Sequence, residues 1–217
     1  MIRLHHAHGT RSMRTLWLLE ELGLAYELVV HPFDKSLRSS DYLALNPAGR
    51  VPALELDEAV LFETGAITEL LCERFSPDGL GRMPGHPERA DWLIYLHFSE
   101  TISQHTAALT QQHIALYEDW MRSPTVMKLE AKRLEKCYKV LENRLSERDY
   151  LLEGGFAACD ISCAQAIYMA QHFALIEPFA NLNAWYLRCT SRTAFAECLP
   201  PAQESLYRAA FYPPPDA

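Results

Sequence analysis

The pattern of strands and helices changes once along the chain, and this change constrains the fold more than any other feature of the sequence. In the first third, short apolar runs typical of strands alternate with amphipathic helices. After residues 76–87, which hold three prolines and three glycines, the strand pattern ends and helical periodicity continues. We therefore expect an α/β domain at residues 1–76, a linker at 77–87 and an all-helical domain at 88–217.

The α/β domain has the element order βαβ followed by ββα. The spacing predicts strands at residues 2–6, 26–31, 53–56 and 60–62, and helices at 13–22, 39–45 and 67–75. The first strand, helix and second strand are joined by short loops, which requires a right-handed crossover and parallel pairing. Ser12 is a candidate N-cap of the first helix, and Gly23 is its expected end.

The rest of the chain predicts helices of varied length. They are expected at residues 88–121, 124–145, 160–173, 181–188 and 193–198. Ser123 and Pro124 have the residue types of an N-cap followed by proline at the first helical position.

Charge and cysteine usage exclude several classes of protein. The 217-residue chain has a net charge of -8, which argues against nucleic-acid binding. There is no apolar run of the ~20 residues that span a bilayer and no apolar h-region at the N-terminus, so a cytoplasmic protein is expected. The six cysteines form no CxxC pair and are expected to be reduced. His5, His6 and His8 are interpreted as a strand running into a loop, so no metal site is expected.

The segment at residues 46–54, NPAGRVPAL, contains the first candidate binding element. Pro52 opens a strand, where it cannot donate to a ladder, and an X-Pro bond is the common place for a cis peptide. A cis bond would turn the backbone N–H and C=O of Val51 outward. A peptide-like ligand could then add to this edge as an extra strand segment.

The segment at residues 61–67, LFETGAI, contains the second element. A strand ends near Glu63 and a helix begins near Thr64, where unpaired N–H groups and the helix dipole favour a ligand carboxylate. The Glu63 carboxylate is suited to an ammonium. Together they suit an α-amino acid head group, such as the γ-glutamyl end of glutathione.

With both elements present in this order, the whole chain resembles the cytosolic glutathione transferase family. The resemblance also includes residues 10–24, TRSMRTLWLLEELGL, which look like the first βα turn and helix of bacterial and fungal members. It implies a thioredoxin-like domain followed by a helical domain. It also implies a homodimer that uses glutathione as co-substrate without a further cofactor.

The resemblance implies a role for each residue of the glutathione site. Val51, before Pro52, would pair its backbone with the cysteinyl part, and Glu63 and Thr64 would hold the γ-glutamyl part. Arg50 would meet the glycyl carboxylate, which its planar guanidinium fits.

The thiol needs a group that lowers its pKa, because a thiol near its reference pKa of ~8.5 is mostly protonated at neutral pH. The family uses a hydroxyl or a thiol just after the first strand. The first tyrosine, Tyr26, and the first cysteine, Cys72, both come too late in the chain, which leaves a serine/threonine type. Thr10 and Ser12 are the candidates, and Thr10 is slightly favoured although close relatives carry serine there.

A second substrate, a small hydrophobic electrophile, is expected against the helix that begins near residue 88. The helical spacing nominates five residues to line its pocket: Tyr95, Phe98, Ser99, Ile102 and His105.

The helix expected near Asp160 lacks one family feature. Members place Ser or Thr three residues earlier to form a capping box, whereas this chain has Ala157.

The function expected from the resemblance is addition of the glutathione thiolate to a hydrophobic electrophile. Two alternatives stay open. One is glutathione-dependent reduction of peroxides or isomerisation, and the other is a non-enzymatic glutathione-binding protein, since fold does not imply function.

Overall fold

The computed structural model describes residues 1–212, so residues 213–217 of the expected helical domain lie outside the described part of the chain. Four strands are present: β1 Ile2–His6, β2 Glu27–Val30, β3 Ala53–Leu56 and β4 Ala59–Phe62. The longer helices of the first part are α1 Met13–Glu21 and α3 Thr64–Phe75, with the short α2 Ser40–Leu45 between them. The helices that follow are α4 Arg89–Thr110, α5 Pro124–Arg144, α6 Ala158–Ala170, α7 Ala180–Thr190 and α8 Thr193–Glu197.

The four strands form one sheet in the order β2-β1-β3-β4. β1 pairs in parallel with β2 and antiparallel with β3, and β3 pairs antiparallel with β4. This confirms the βαβ–ββα order and the parallel crossover through α1. Because β1 is a central strand, Leu4 lies at the middle of the sheet and is fully buried, opposite the buried Leu54.

The chain divides into two compact units. Within the described residues, the first contains 1–89 together with 191–206, and the second contains 90–190 and 207–212. Residues 191–206 were assigned to the helical domain by the sequence pattern, but they pack against α1. The Phe195 ring lies 4.8 Å from that of Trp17, and the Arg192 guanidinium makes two 2.6 Å contacts with the Glu21 carboxylate.

The long helix expected at residues 88–121 ends earlier. α4 stops at Thr110, and a five-residue π-helical turn and an irregular segment follow before α5. The Gln112 side chain accepts the Ser123 backbone N–H at 2.6 Å, and Arg122 donates to the Leu116 carbonyl at 2.8 Å. These bonds satisfy the Ser123 N–H and the Leu116 C=O in a chain that folds back after α4. Apolar periodicity continues through this segment, so by itself it overestimated the helix length.

Helix α6 begins at Ala158, two residues before the start expected from the sequence. Ala157 is the N-cap, and its backbone N–H donates to the Asp160 carboxylate at 2.9 Å without a reciprocal hydroxyl. Asp160 also accepts from the Leu151 N–H and the Trp185 ring N–H. Among residues 1–212, no helix is long and apolar enough to cross a membrane.

Candidate functional site

A depression in the first unit gathers the two predicted binding elements. Its open volume is about 350 Å³, and eight residues line it: Arg11, Asn46, Ala48, Arg50, Val51, Pro52, Glu63 and Thr64. The five residues expected to bind glutathione are all among them. Segments distant in sequence meet here because β3 begins after Pro52 and the adjacent β4 leads into Glu63.

The loop before β3 is held in place by side chains that the sequence reasoning did not single out. Asn46 donates from its amide to the Arg50 carbonyl at 2.7 Å, and the Tyr42 hydroxyl donates to the same oxygen at 2.7 Å. Gly49 adopts φ of +61°, the left-handed region that favours glycine. The Val51–Pro52 bond is cis. Asn46 could have been found from sequence, because Asn ahead of a Pro-Ala-Gly turn is a typical Asx-turn residue.

The junction between β4 and α3 forms the opposite wall. Glu63 has φ of +73°, an uncommon backbone conformation for a residue other than glycine, and such outliers concentrate at functional sites. Thr64 is the first residue of α3 and is 7% exposed. The buried Arg14 guanidinium lies 3.4 Å from the Thr64 hydroxyl. Arg14, on α1, therefore places a positive charge beside the start of α3.

The charges around the depression have both signs. Arg11 and Arg50 contribute positive charge, Glu63 contributes negative charge, and the start of α3 adds the positive end of a helix dipole. This arrangement can accommodate a small zwitterion with more than one carboxylate and one ammonium.

The hydroxyls of Thr10 and Ser12 lie 2.7 Å apart, and both residues are buried. Thr10 donates to the Ala7 carbonyl at 2.7 Å, and Ser12 lies 2.8 Å from Nδ1 of His6. Ser12 occupies the N-cap position of α1, as expected, but it makes no side-chain cap and its hydroxyl is used inside the loop. Arg11, between the two, lines the depression.

Behind these hydroxyls is a pair of imidazoles. Nε2 of His6 lies 3.3 Å from Nδ1 of His8, and Nε2 of His8 lies 3.4 Å from the Glu204 carboxylate. Burial lowers the pKa of His6 to about 4, and the His8 ring adds to the decrease. The sequence shows both histidines, but their contact with Glu204 depends on the return of residues 191–206 to the first unit.

The five residues expected to line an electrophile pocket all lie on α4. Ser99 and Ile102 are fully buried, and the Ser99 hydroxyl donates to the Leu96 carbonyl at 2.6 Å. Tyr95 lies under the Arg144 guanidinium and edge-on to Phe98. His105 pairs with Glu130 at 2.6 Å. Their role in binding a second substrate stays a prediction.

The cysteines are buried and not paired with one another. Burial raises the pKa of the Cys72 thiol to about 12, so it is not a nucleophile at neutral pH. Within residues 1–212, no cluster of three or more His, Cys, Asp or Glu side chains could hold a metal ion.

Two family models match the chain. Residues 1–73 match the N-terminal domain of glutathione S-transferase, and residues 108–193 match its C-terminal domain. Glutathione S-transferase 3 of Schizosaccharomyces pombe is 26% identical over 89% of this chain and 85% of its own length. Glutathione S-transferase F13 of Arabidopsis thaliana is 28% identical over 86% of this chain and 89% of its own.

Solved structures show the same fold. The glutathione transferase URE2P8 of Phanerochaete chrysosporium, solved with oxidized glutathione, superposes with a TM-score of 0.82 at 23% identity, covering 91% of this chain and 92% of its own. Glutathione transferase F7 of Populus trichocarpa gives 0.78 at 26% identity, covering 91% and 97%. The thioredoxin-like sheet domain and the helical domain that follows it therefore have known counterparts in order and extent. The chain belongs to the glutathione S-transferase family of enzymes.

Proposed function

We propose that this enzyme binds glutathione in the depression of its first unit and conjugates the thiolate to a small hydrophobic electrophile. The observation that carries the proposal is the convergence of residues 50–52 with Glu63 and Thr64 around one depression. At neutral pH glutathione has two carboxylates and one ammonium. The depression offers two arginines, one carboxylate and a helix N-terminus to match them.

In this proposal each part of the tripeptide has a partner. The backbone of Val51 pairs with the cysteinyl unit as an added strand segment. The Thr64 hydroxyl and the first N–H groups of α3 bind the γ-glutamyl carboxylate, with the Arg14 charge behind them. Glu63 binds the ammonium, and Arg50 binds the glycyl carboxylate.

Conjugation begins when the thiol loses its proton. Thr10 is the hydroxyl that we assign to the sulfur, because it is 9% exposed whereas Ser12 is fully buried. A donated hydrogen bond stabilises the thiolate, which then attacks the electrophilic carbon while the leaving group departs with its bonding electrons. Holding both reactants in one site supplies the rest of the rate enhancement.

Calorimetry with glutathione and a conjugation assay with 2,4-dinitrochlorobenzene test the proposal together. Thr64→Val and Glu63→Gln each remove one charge-assisted contact, worth about 1.5–3 kcal/mol, and should weaken the Kd for glutathione roughly tenfold to a hundredfold. Glu58→Gln is the matched control, since this exposed residue lies in the β3–β4 turn outside the depression.

The outcomes separate the alternatives. Glutathione binding with turnover of a hydroperoxide but no electrophile would favour the peroxidase, and binding with no turnover at all would favour the binding protein. Equal Kd values for the native chain and both depression variants would refute the assigned site.

A further inference from the structure

A continuous line of polar contacts runs from Thr10, the neighbour of Arg11 in the wall of the depression, to the surface of the first unit. Thr10 Oγ1 lies 2.7 Å from Ser12 Oγ, which lies 2.8 Å from His6 Nδ1. His6 Nε2 lies 3.3 Å from His8 Nδ1, and His8 Nε2 lies 3.4 Å from the Glu204 carboxylate. Of the three inner members, Ser12 and His6 are at most 1% exposed and the His8 side chain is 18% exposed, whereas the Glu204 side chain at the end is 51% exposed.

Donor and acceptor capacities fix the direction of these contacts when both imidazoles are neutral. The Glu204 carboxylate, 3.4 Å from Nε2 of His8, electrostatically favours the tautomer with the proton on Nε2, which makes Nδ1 of His8 an acceptor. His6 Nε2 must therefore donate to His8, which leaves His6 Nδ1 to accept the Ser12 hydroxyl. Once the Thr10 hydroxyl turns from the Ala7 carbonyl to Ser12 Oγ, every contact points from Thr10 towards Glu204, and Thr10, Ser12 and His6 each have one proton to pass on.

We propose that this line is a proton relay that moves the thiol proton of bound glutathione to His8, where the Glu204 carboxylate stabilises the imidazolium. It rests on the proposed function, since the proton comes from glutathione in that site. Thr10 is the catalytic member at the sulfur, and Ser12, His6, His8 and Glu204 act through it.

The step balances without any further reactant. The thiol proton passes to Thr10 Oγ1, the Thr10 proton to Ser12 Oγ, the Ser12 proton to His6 Nδ1, and the Nε2 proton of His6 to His8 Nδ1. The electron pair of the broken S–H bond stays on the sulfur. The products are a thiolate and an imidazolium, and each hydrogen bond now runs towards the site, so that Thr10 donates to the thiolate.

Local geometry lets the relay begin. Thr10 Oγ1 lies 2.7 Å from the Ala7 carbonyl and also 2.7 Å from Ser12 Oγ, so rotation of its hydroxyl moves the proton between two acceptors at equal distance. At the other end, the carboxylate lies beside His8. His6 is a conduit rather than a store for the proton, because burial disfavours its charged form and lowers its pKa to about 4.

Histidine nitrogen NMR on the native chain tests the relay directly. With ¹⁵N-labelled histidine at neutral pH, saturating glutathione should convert the His8 signals to those of a doubly protonated ring. S-methylglutathione, which has no thiol proton, should leave them unchanged. Ultraviolet absorbance of the thiolate, recorded on the same samples, reports whether the thiol has ionised.

The results distinguish failure of the relay from failure of the proposed function. Thiolate formation with unchanged His8 signals would overturn the relay and leave the glutathione site standing. Absence of glutathione binding would overturn both. The same His8 change with S-methylglutathione would also overturn the relay, since no thiol proton is available.

Variants of His8 and Glu204 give a second readout, the thiolate fraction of bound glutathione, which a purely structural role of these residues would leave unchanged. His8→Gln and Glu204→Gln should each lower the thiolate fraction of bound glutathione at pH 7 about threefold to tenfold, with the Kd for S-methylglutathione changed less than twofold. The double variant should lower the thiolate fraction no further than His8→Gln alone, because both changes interrupt the same relay. Glu197→Gln, an exposed acid on α8, is the control and should leave the thiolate fraction unchanged. Additive losses, or losses matched by weaker S-methylglutathione binding, would contradict the relay.

Discussion

Thr10 and Ser12 stand two residues apart in one loop, but their hydroxyls have different surroundings. Ser12 is fully buried and lies against the His6 ring, whereas Thr10 retains some exposure and lies next to Arg11, which lines the depression. The identity of the two hydroxyls and their position after β1 were readable from sequence. Which of the two hydroxyls is the more exposed was not readable from sequence, because it depends on how the loop folds back onto His6.

His6 should leave a pH signature in stability. Its pKa is lowered in the folded state to about 4, below the ~6.5 of an unfolded chain, so protons bind more tightly to the unfolded state between these values. The resulting stability is fully present above pH 6.5 and is lost as the pH falls through about 4, to a total of ~3 kcal/mol.

Urea unfolding of the native chain and of His6→Asn at several pH values between 7 and 4 measures this contribution. The free energy of unfolding of the native chain should fall more steeply on acidification, by up to about 1.4 kcal/mol per pH unit within the window. Parallel curves for the two proteins would contradict a buried, neutral His6.

Helices begin and end at capping residues and glycines, and most of these positions could be predicted from the sequence. Ser123 caps α5 by accepting the Val126 N–H, and Gly23, with φ of +62°, follows the end of α1. The exception is the C-terminal end of α4, where apolar spacing continues past Thr110 but the following segment folds back and is held by bonds between Ser123 and Gln112 and between Arg122 and Leu116. Periodicity reports which face is apolar, whereas such tertiary bonds decide where the helix stops.

Helix α6 offers a test at the level of one element. Ala157 occupies the N-cap in extended backbone (φ −145°, ψ 172°) and contributes no hydroxyl, so Ala157→Ser supplies an acceptor for the Asp160 N–H. A gain of ~1 kcal/mol should raise the Tm by roughly 2–4 °C in a chain of this size. Ala158→Ser adds the same hydroxyl at a buried position that cannot cap, and is the control. Differential scanning calorimetry giving equal or lower Tm for Ala157→Ser would contradict this N-cap assignment.

On the scale of the whole molecule, the chain closes its first unit with residues from near its C-terminus. Arg192 forms a two-point ion pair with Glu21 across a sequence separation of 171 residues, and the Trp17 ring N–H donates to the same carboxylate. The Glu21 side chain is only 8% exposed. The first unit therefore needs residues 191–206, which are separated from residues 1–89 by about a hundred residues of the second unit.

Arg192→Met should destabilise the protein by about 2–3 kcal/mol. The variant leaves a buried carboxylate without its cation, and the loss is below the 3–5 kcal/mol of fully buried pairs because the Arg192 side chain is 36% exposed. Urea unfolding measures the loss. The double variant Glu21→Gln/Arg192→Met, which removes the uncompensated charge, should recover part of it. A single variant as stable as the native chain would show that the pair contributes little to stability.

Sequence patterns alone predicted the α/β and helical parts, the βαβ–ββα order and the two binding segments. These follow from apolar periodicity, turn residues and short loops, which are local properties. The tertiary structure was needed to show that residues 191–206 join the first unit, that Tyr42 holds the loop before β3, and that His6 and His8 connect Thr10 and Ser12 to Glu204. These contacts join residues distant in sequence, or depend on which way a side chain points, and no local pattern encodes them.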